Sequence, residues 1–393
     1  MRTTVLLVLA YMISCLCFPS QVPAETGVTD TEIIIGSHLD LSGPIAGWGA
    51  NVKMGLEMRA REINAAGGIY GRKIRLVIED NGYDPKKAIM ATSKMINRDK
   101  VFCFLGNMGS PTAGATKPLI SRKKIPQLFP LTGASLFFTP YDRYSFGGFV
   151  PYYDQARALV KYFIENKNLK RFGILYQDDE MGAIMTQGIR DQLAIHNLEL
   201  ISAESYKRGA TEFSSQIVKL RRAKVDIVVL ATVIRETVGA LKEANKLGWE
   251  VVMAGMSPAY TMMVVDLCRN AGFSADGLYA TGQSPYPYVD STTPGVADWV
   301  RRHQQQFGKE PDLPTTAGYS ALDFFQQAAE KVGRDLTREK LIDTIETMGT
   351  VKDRNFGGPD TVFTPTNHQG VFDAIMFQVR NGRFEKIADI GYK

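Results

Sequence analysis

The sequence predicts an α/β protein of two domains. Three observations lead there. Strand-like and helix-like patterns alternate along almost the whole chain, the mark of α/β architecture. Apolar runs such as Val101–Leu105 suit strands buried on both faces of a parallel sheet. At 393 residues the chain exceeds one ordinary core.

The elements follow in order. Glu32–Gly36 reads as a first strand, and Asp40-Leu41-Ser42-Gly43-Pro44 as a loop. A helix runs from about Trp48 to Ala66, with Val52, Leu56 and Ile63 at helical spacing, and Gly67-Gly68 stops it. Lys73–Glu79 is the next strand, and Asp84-Pro85 opens a helix to about Asn97, aspartate as cap and proline first. Val101–Leu105 then runs into Gly106-Asn107-Met108-Gly109-Ser110-Pro111-Thr112. Here the glycines allow a tight turn and close approach of another molecule. Ser110 before Pro111 reads as an N-cap for a helix over Thr112–Arg122. Such a strand, turn and helix N-terminus aims free N–H groups and a positive dipole end into a crevice, where a carboxylate could sit. A merely structural turn is the other reading of this stretch. The strand Gln127–Leu131 follows.

The order and spacing of these segments carry a resemblance. Ile35-Gly36 leads to Leu41-Ser42-Gly43-Pro44. Then come Glu62-Ile63-Asn64-Ala65-Ala66-Gly67-Gly68-Ile69, Gly71-Arg72-Lys73, Asp80 and Asp84-Pro85. This series resembles the periplasmic branched-chain amino-acid-binding proteins, the type I solute-binding proteins of ABC importers. The likeness covers nearly the whole mature chain and is strongest over 31–135.

The second half keeps the same rhythm, so the halves form a loose internal repeat. Phe149-Val150-Pro151 breaks the pattern and reads as a passage between domains. Helices are expected at Asp154–Asn166, Glu180–Ala194, Phe213–Arg222, Glu236–Leu247 and Val264–Asn270. Strands are expected at Arg171–Tyr176, Glu199–Ser205, Val225–Ala231, Val251–Gly255 and Gly277–Thr281. The loop Gly282–Pro294 suggests a second passage. After it come helices at Val296–Phe307, Ala317–Val332 and Arg338–Met348, then a hairpin of Phe372–Arg380 and Glu385–Ile390 about Asn381-Gly382. The resemblance implies two doubly wound α/β lobes joined by three hinge crossings, the type I periplasmic binding protein fold, with the third crossing near Gly370. Lobe 1 then comprises 27–150 with 283–370, and lobe 2 comprises 151–282 with 371–393.

Arg2 before the apolar run Val5–Phe18, with Val22-Pro23-Ala24 ahead of Glu25, reads as a secretory signal peptide over 1–24. Met12-Ile13-Ser14-Cys15 offers a lipoprotein cleavage site as the alternative, ranked lower because methionine begins such a site poorly. No later run approaches the roughly 18 apolar residues of a membrane span. The mature chain is expected in the periplasm, soluble and monomeric. Cleavage removes Arg2 and no acid, so the net charge falls from +5 to +4. Charges of both signs are interspersed, which leaves nucleic-acid binding unsupported. Two cysteines remain, Cys103 and Cys268, expected as buried free thiols in different lobes.

An enzyme needs reacting groups. His38, His196, His303 and His368 have no partners at metal-ligand spacing. Gly318-Tyr319-Ser320-Ala321-Leu322 lacks the closing glycine of a nucleophile elbow. No Walker loop or dinucleotide fingerprint is present. Asp178-Asp179-Glu180 suits a helix N-terminus better than a metal. No enzyme, metal or cofactor is expected.

The resemblance supplies a binding site instead, between the lobes at the C-terminal ends of strands. Ser110 occupies the position that receives a ligand carboxylate, and Leu131, Thr132 and Gly133 the adjoining loop. Trp48 lies where an aromatic ring covers the ligand, although it also suits plain packing beneath a loop. In the second lobe Met181 and Val233 stand where amino-acid binders present tyrosines, and Ser257 where they present an acid. Arg235, Met256 and Tyr260 lie close by. The resemblance thus implies capture of a small molecule and its delivery to an ABC importer permease. The substitutions favour a carboxylate with an apolar or aromatic body and no α-ammonium, ahead of an uncharged lipid-like molecule. A branched-chain amino acid, with Glu236 supplied from a shifted register, and a ligand-sensing role in signalling remain the alternatives.

Overall fold

The computed structural model describes residues 25–392. The expected signal peptide, its cut after Ala24 and Cys15 lie outside the described residues. Two sheets organise the rest.

The first sheet has five strands, β1 (Glu32–Leu39), β2 (Lys73–Asp80), β3 (Cys103–Leu105), β4 (Gln127–Leu128) and β5 (Ser145–Phe146), ordered β2-β1-β3-β4-β5. All its pairings are parallel. Between them run α1 (Ala46–Ala65), α2 (Pro85–Asn97) and α3 (Ser110–Arg122). Ile33 and Ile35 of β1 pack with Val52, Leu56 and Ile63 of α1, while Ile34 packs with Met95 and Ile96 of α2. Alternate side chains thus feed helices on opposite faces, which makes the layer doubly wound. Asp84 caps α2 as expected, accepting from the N–H groups of Lys86 and Lys87 at 2.7 and 3.0 Å.

The second sheet has seven strands. They are β6 (Phe172–Gln177), β7 (Leu200–Tyr206), β8 (Ile227–Ala231), β9 (Val252–Gly255), β10 (Tyr279–Gly282), β11 (Ala374–Arg380) and β12 (Arg383–Ile390), in the order β12-β11-β10-β9-β8-β6-β7. Only the pairings of β11 with its two neighbours are antiparallel. On one face lie α4 (Tyr152–Lys167) and α5 (Glu180–Ile195). On the other lie α6 (Ser214–Arg222), α7 (Ile234–Lys246) and α8 (Met262–Asn270). Asn381 and Gly382 turn the closing hairpin with φ of 50° and 71°.

The chain returns to the first layer for α9 (Val296–Phe307), α10 (Leu313–Val332) and α11 (Arg338–Thr347). Helix α10 packs tightly on α1: a Cβ on Gly55 would sit 2.0 Å from the Thr315 carbonyl oxygen. The chain therefore passes between the sheets three times, after β5, after β10 and before β11. These passages are tied together. Gly147 N–H donates to His368 O and Gly370 N–H to Gly147 O, both at 2.9 Å. Gln283 bridges the first two, accepting from Val150 N–H at 3.1 Å and donating to Gly148 O at 3.0 Å.

Several boundaries differ from the sequence reading. Val101 and Phe102 precede the strand proper, and Phe129–Leu131 leave it early. The two-residue β5 was not foreseen. Ser110 is not the cap of α3. Gly109 occupies that place with φ of 96°, and Ser110 is the first helical residue, its hydroxyl turned to Thr132. A left-handed φ excludes serine far more strongly than a cap bond attracts it. Cys103 and Cys268 are buried and unbridged, and burial pushes the Cys268 thiol up to about 12.

Candidate functional site

In open α/β sheets, strand order reverses at a switch point, and a crevice opens beyond the strand ends there. The first sheet switches between β1 and β3, the second between β6 and β8. Trp48 follows β1, Ser110 follows β3, and Leu131–Gly133 follow β4. Met181 follows β6, Val233 follows β8, and Ser257 follows β9. The structure brings all eight residues to the wall of one cavity, about 540 Å³ with its mouth included.

The loop leading to Trp48 is held by two carboxylates. Asp40 accepts from the N–H groups of Gly43 and Ile45 at 2.5 and 2.8 Å. Asp80 accepts from Leu41 N–H, Gly82 N–H and the Ser42 hydroxyl at 2.8, 2.9 and 2.5 Å. Partial burial pushes the Asp80 carboxyl up, but these bonds and Lys87 outweigh it and hold the group below its usual range. The motif residues Leu41-Ser42-Gly43 and Asp80 thus set the geometry from which Trp48 projects.

The loops after β3 and β4 run side by side past the strand ends. Leu131 N–H donates to Asn107 O at 2.8 Å and Gly109 N–H to Leu131 O at 3.3 Å. This pairing carries Ser110 to Thr132, whose hydroxyls are 2.7 Å apart, and Thr132 Oγ1 also accepts from Ala134 N–H at 3.0 Å. Tyr152 enters beside them, its N–H on Gly133 O at 2.8 Å. Burial raises the Tyr152 phenol, against an opposing pull from the Gly133 backbone and the Thr132 and Ser110 hydroxyls. A Cβ on Gly133 would meet the Tyr152 ring at 2.7 Å, so glycine is required there. Three hydroxyls and the start of α3 therefore face one end of the cavity. The first N–H groups of a helix have no carbonyl of their own helix to bind.

The opposite side is mainly apolar, with the Ser257 hydroxyl as its polar group. Met181 is buried in the first turn of α5, which Asp179 caps by accepting from Met181 and Gly182 N–H at 3.1 and 3.4 Å. Asp179 also pairs with Arg208 at 3.2 Å, and Asp178 pairs with Lys207. The acidic triplet is thus a helix start. Val233 precedes α7. Ser257 is fixed by buried Gln155, which accepts from its N–H at 3.0 Å and donates to its hydroxyl at 3.2 Å.

Among the described residues, no Asp, Glu, Lys, Arg or His lines this cavity. Glu236 does not reach it. That carboxyl is buried inside α7, Oε2 has no partner, and burial raises it. Arg235 and Met256 do not line the cavity either, and Tyr260 faces a neighbouring chamber. Sequence reasoning missed Tyr83, Met108, Phe149 and Tyr152 as wall residues. Tyr152 and Phe149 flank the first crossing, a signal that could have found them. Tyr83 follows edge strand β2, away from the switch point, and reaches the cavity by lying against Gly109. The four histidines stand apart from the wall.

Comparison with known proteins places this geometry in a family. Residues 32–383 match the profile described as "Periplasmic binding protein". The Leu/Ile/Val-binding protein of Escherichia coli K12 is 25% identical over 275 residues, 67% of this chain and 71% of its own length. The Leu/Ile/Val-binding protein homolog 7 of Brucella abortus (strain 2308) is 26% identical over 314 residues, 77% of this chain and 76% of its own. Among solved structures, a fatty acid ABC transporter substrate-binding protein from Thermomonospora curvata aligns with a TM-score of 0.84 at 21% identity, covering 95% of this chain and 96% of that one. A branched-chain amino acid ABC transporter protein from Thermus thermophilus with bound valine gives 0.82 at 19% identity, covering 93% and 97%. At these identities the solved structures share the fold.

Proposed function

Because the chain belongs to the periplasmic binding protein family, as a type I member of its branched-chain amino-acid group, we propose that it captures a small carboxylate in the periplasm and delivers it to an ABC importer permease. The ligand reading rests on one observation: a cavity with three hydroxyls and a helix N-terminus at one end and, among the described residues, no charged side chain on its wall. A carboxylate gains from donors and a positive dipole end. An α-ammonium would lose its water shell and meet no counter-charge, at several kcal/mol. Ser257, Met181 and Val233 supply a hydroxyl and two apolar surfaces where an acid and two phenols would suit an amino acid. The body of the ligand is therefore aliphatic or aromatic.

Binding draws contacts from loops of both sheets, so it favours the closed arrangement over the open one, and the closed form is what the permease would recognise. The hinge is proposed at the three tied crossings, with lobes bounded as the sequence suggests. The relatives named for leucine, isoleucine and valine favour an amino acid as the second reading. A thermal-shift panel tests the pair, because a ligand that binds only the native state raises its melting temperature by mass action. Short aliphatic and phenyl-substituted acids are expected to raise it. A rise with branched-chain amino acids alone overturns the proposal.

A further inference from the structure

Beyond the cavity just described, a second and larger chamber of about 980 Å³, its mouth included, lies against the first. Trp48, Phe149 and Ser257 line both. Its apolar surface comes from Phe129, Phe324 and Phe356, from Leu313, Ala317 and Ala321 of α10, and from the loop of residues 351–361.

Its polar groups are largely engaged already. Asp323 takes Arg59 at 2.7 Å, Nη2 and Nε of Arg354 at 2.9 and 3.0 Å, and the Gln327 amide at 3.0 Å. Asp353 accepts from the N–H groups of Asn355, Phe356 and Gly358 at 2.9, 3.2 and 2.9 Å. Gln283 is spent on the first crossing. Lys352 also lines this chamber, but it is exposed, so its ammonium stays in water at the mouth. The rest of the open wall is mainly aromatic and aliphatic surface. At the junction, the buried indole N–H of Trp48 has no partner.

We propose that the two chambers work as one site for an amphipathic acid, its carboxylate at Ser110 and its hydrocarbon chain passing Trp48 and Phe149 into the second chamber. This rests on the carboxylate reading above and extends it from a small acid to a medium- or long-chain one. A chain that fills only the first chamber leaves the Phe129, Phe324 and Phe356 surface wet. Each further methylene that reaches it is removed from water.

Titration calorimetry with hexanoate, decanoate and tetradecanoate, each below its micelle concentration, tests the inference. Affinity is expected to climb by about fourfold per methylene from hexanoate to decanoate. Ala317→Phe fills the second chamber from α10, and Thr361→Tyr fills it from the opposite loop. Either variant, if it melts as the parent does, should erase most of the decanoate gain and leave hexanoate within about twofold. Two variants from different elements keep the test open if one fails to fold. Equal affinity for all three acids, untouched by both variants, overturns the second chamber and leaves the carboxylate reading standing. Silence of all three acids overturns that reading, and this inference with it.

Discussion

Ser110→Ala removes one oxygen at the centre of the polar end. In the unliganded protein that oxygen shares a 2.7 Å hydrogen bond with Thr132 Oγ1, and Ser110 is only 2% exposed. Losing a neutral bond costs about 0.5–1.5 kcal/mol of stability, and Thr132 Oγ1 keeps its second partner at Ala134 N–H. The fold should therefore survive with a melting temperature a few degrees lower. With a carboxylate in place, the same oxygen makes a charge-assisted bond worth roughly 1.5–3 kcal/mol, which converts to a loss of about 10- to 150-fold in affinity. Calorimetry on parent and variant with 4-methylpentanoate measures this directly, and circular dichroism verifies the fold. Thr132→Val and Tyr152→Phe complete the set. Because the three hydroxyls share one neighbourhood, the double variant Ser110→Ala with Thr132→Val should lose less than the sum of the single losses. A folded Ser110→Ala protein with parental affinity refutes the placement of the carboxylate.

Other consequences follow from neighbouring residues. Gly109→Ala puts a Cβ at φ of 96° and 2.8 Å from the Tyr83 ring, so it should lower the melting temperature and abolish binding together. His38 is buried, with Asn81 Nδ2 donating to Nδ1 at 3.0 Å and Thr116 Oγ1 placed at 3.1 Å to accept from Nε2, a network that suits the neutral ring. Burial drives that imidazole from 6.5 down to about 3. Its contribution to stability is therefore whole above about pH 6.5 and declines as pH falls towards about 3. Thermal melts between pH 7 and pH 4 should show the decline, and His38→Gln should make it shallower, leaving the share of His303 and His368, which burial also lowers. Arg208, 5.1 Å over the Tyr83 ring and paired with Asp179, links loops of the two sheets. Arg208→Ala should speed ligand release several-fold with little change in melting temperature, as stopped-flow measurement would show. Solution scattering should record a smaller radius of gyration on saturation with ligand, and no contraction would argue against hinge closure.

Much of this was legible in the sequence, for identifiable reasons. The strand and helix alternation needs only local periodicity, and Asp84-Pro85 and Asn381-Gly382 act within a few residues of themselves. The eight wall residues are reachable because all but Trp48 sit within a few residues of a strand end, and the resemblance and the topology together set such positions. Ser110 differs from the cap the serine–proline pattern suggests because that pattern says nothing of Gly109, which takes the place with a positive φ, against Tyr83 and with its N–H on Leu131 O. Tyr83 reaches the cavity only through Gly109, a partner far along the chain, whereas Tyr152 lies beside the first crossing, where a local signal exists. The second chamber was invisible for the reason that hid Tyr83. It needs Phe129 just past β4, α10 and the loop of residues 351–361 to meet, and no local pattern records that meeting.

The central claim is that the site binds the acid without its α-ammonium. Titration of one preparation with leucine, with its deaminated analogue 4-methylpentanoate and with a phenyl-substituted acid bears on it most directly. The uncharged wall and the hydroxyl end predict that the two acids bind and that leucine is far weaker than either. Tight leucine binding with both acids silent would contradict it.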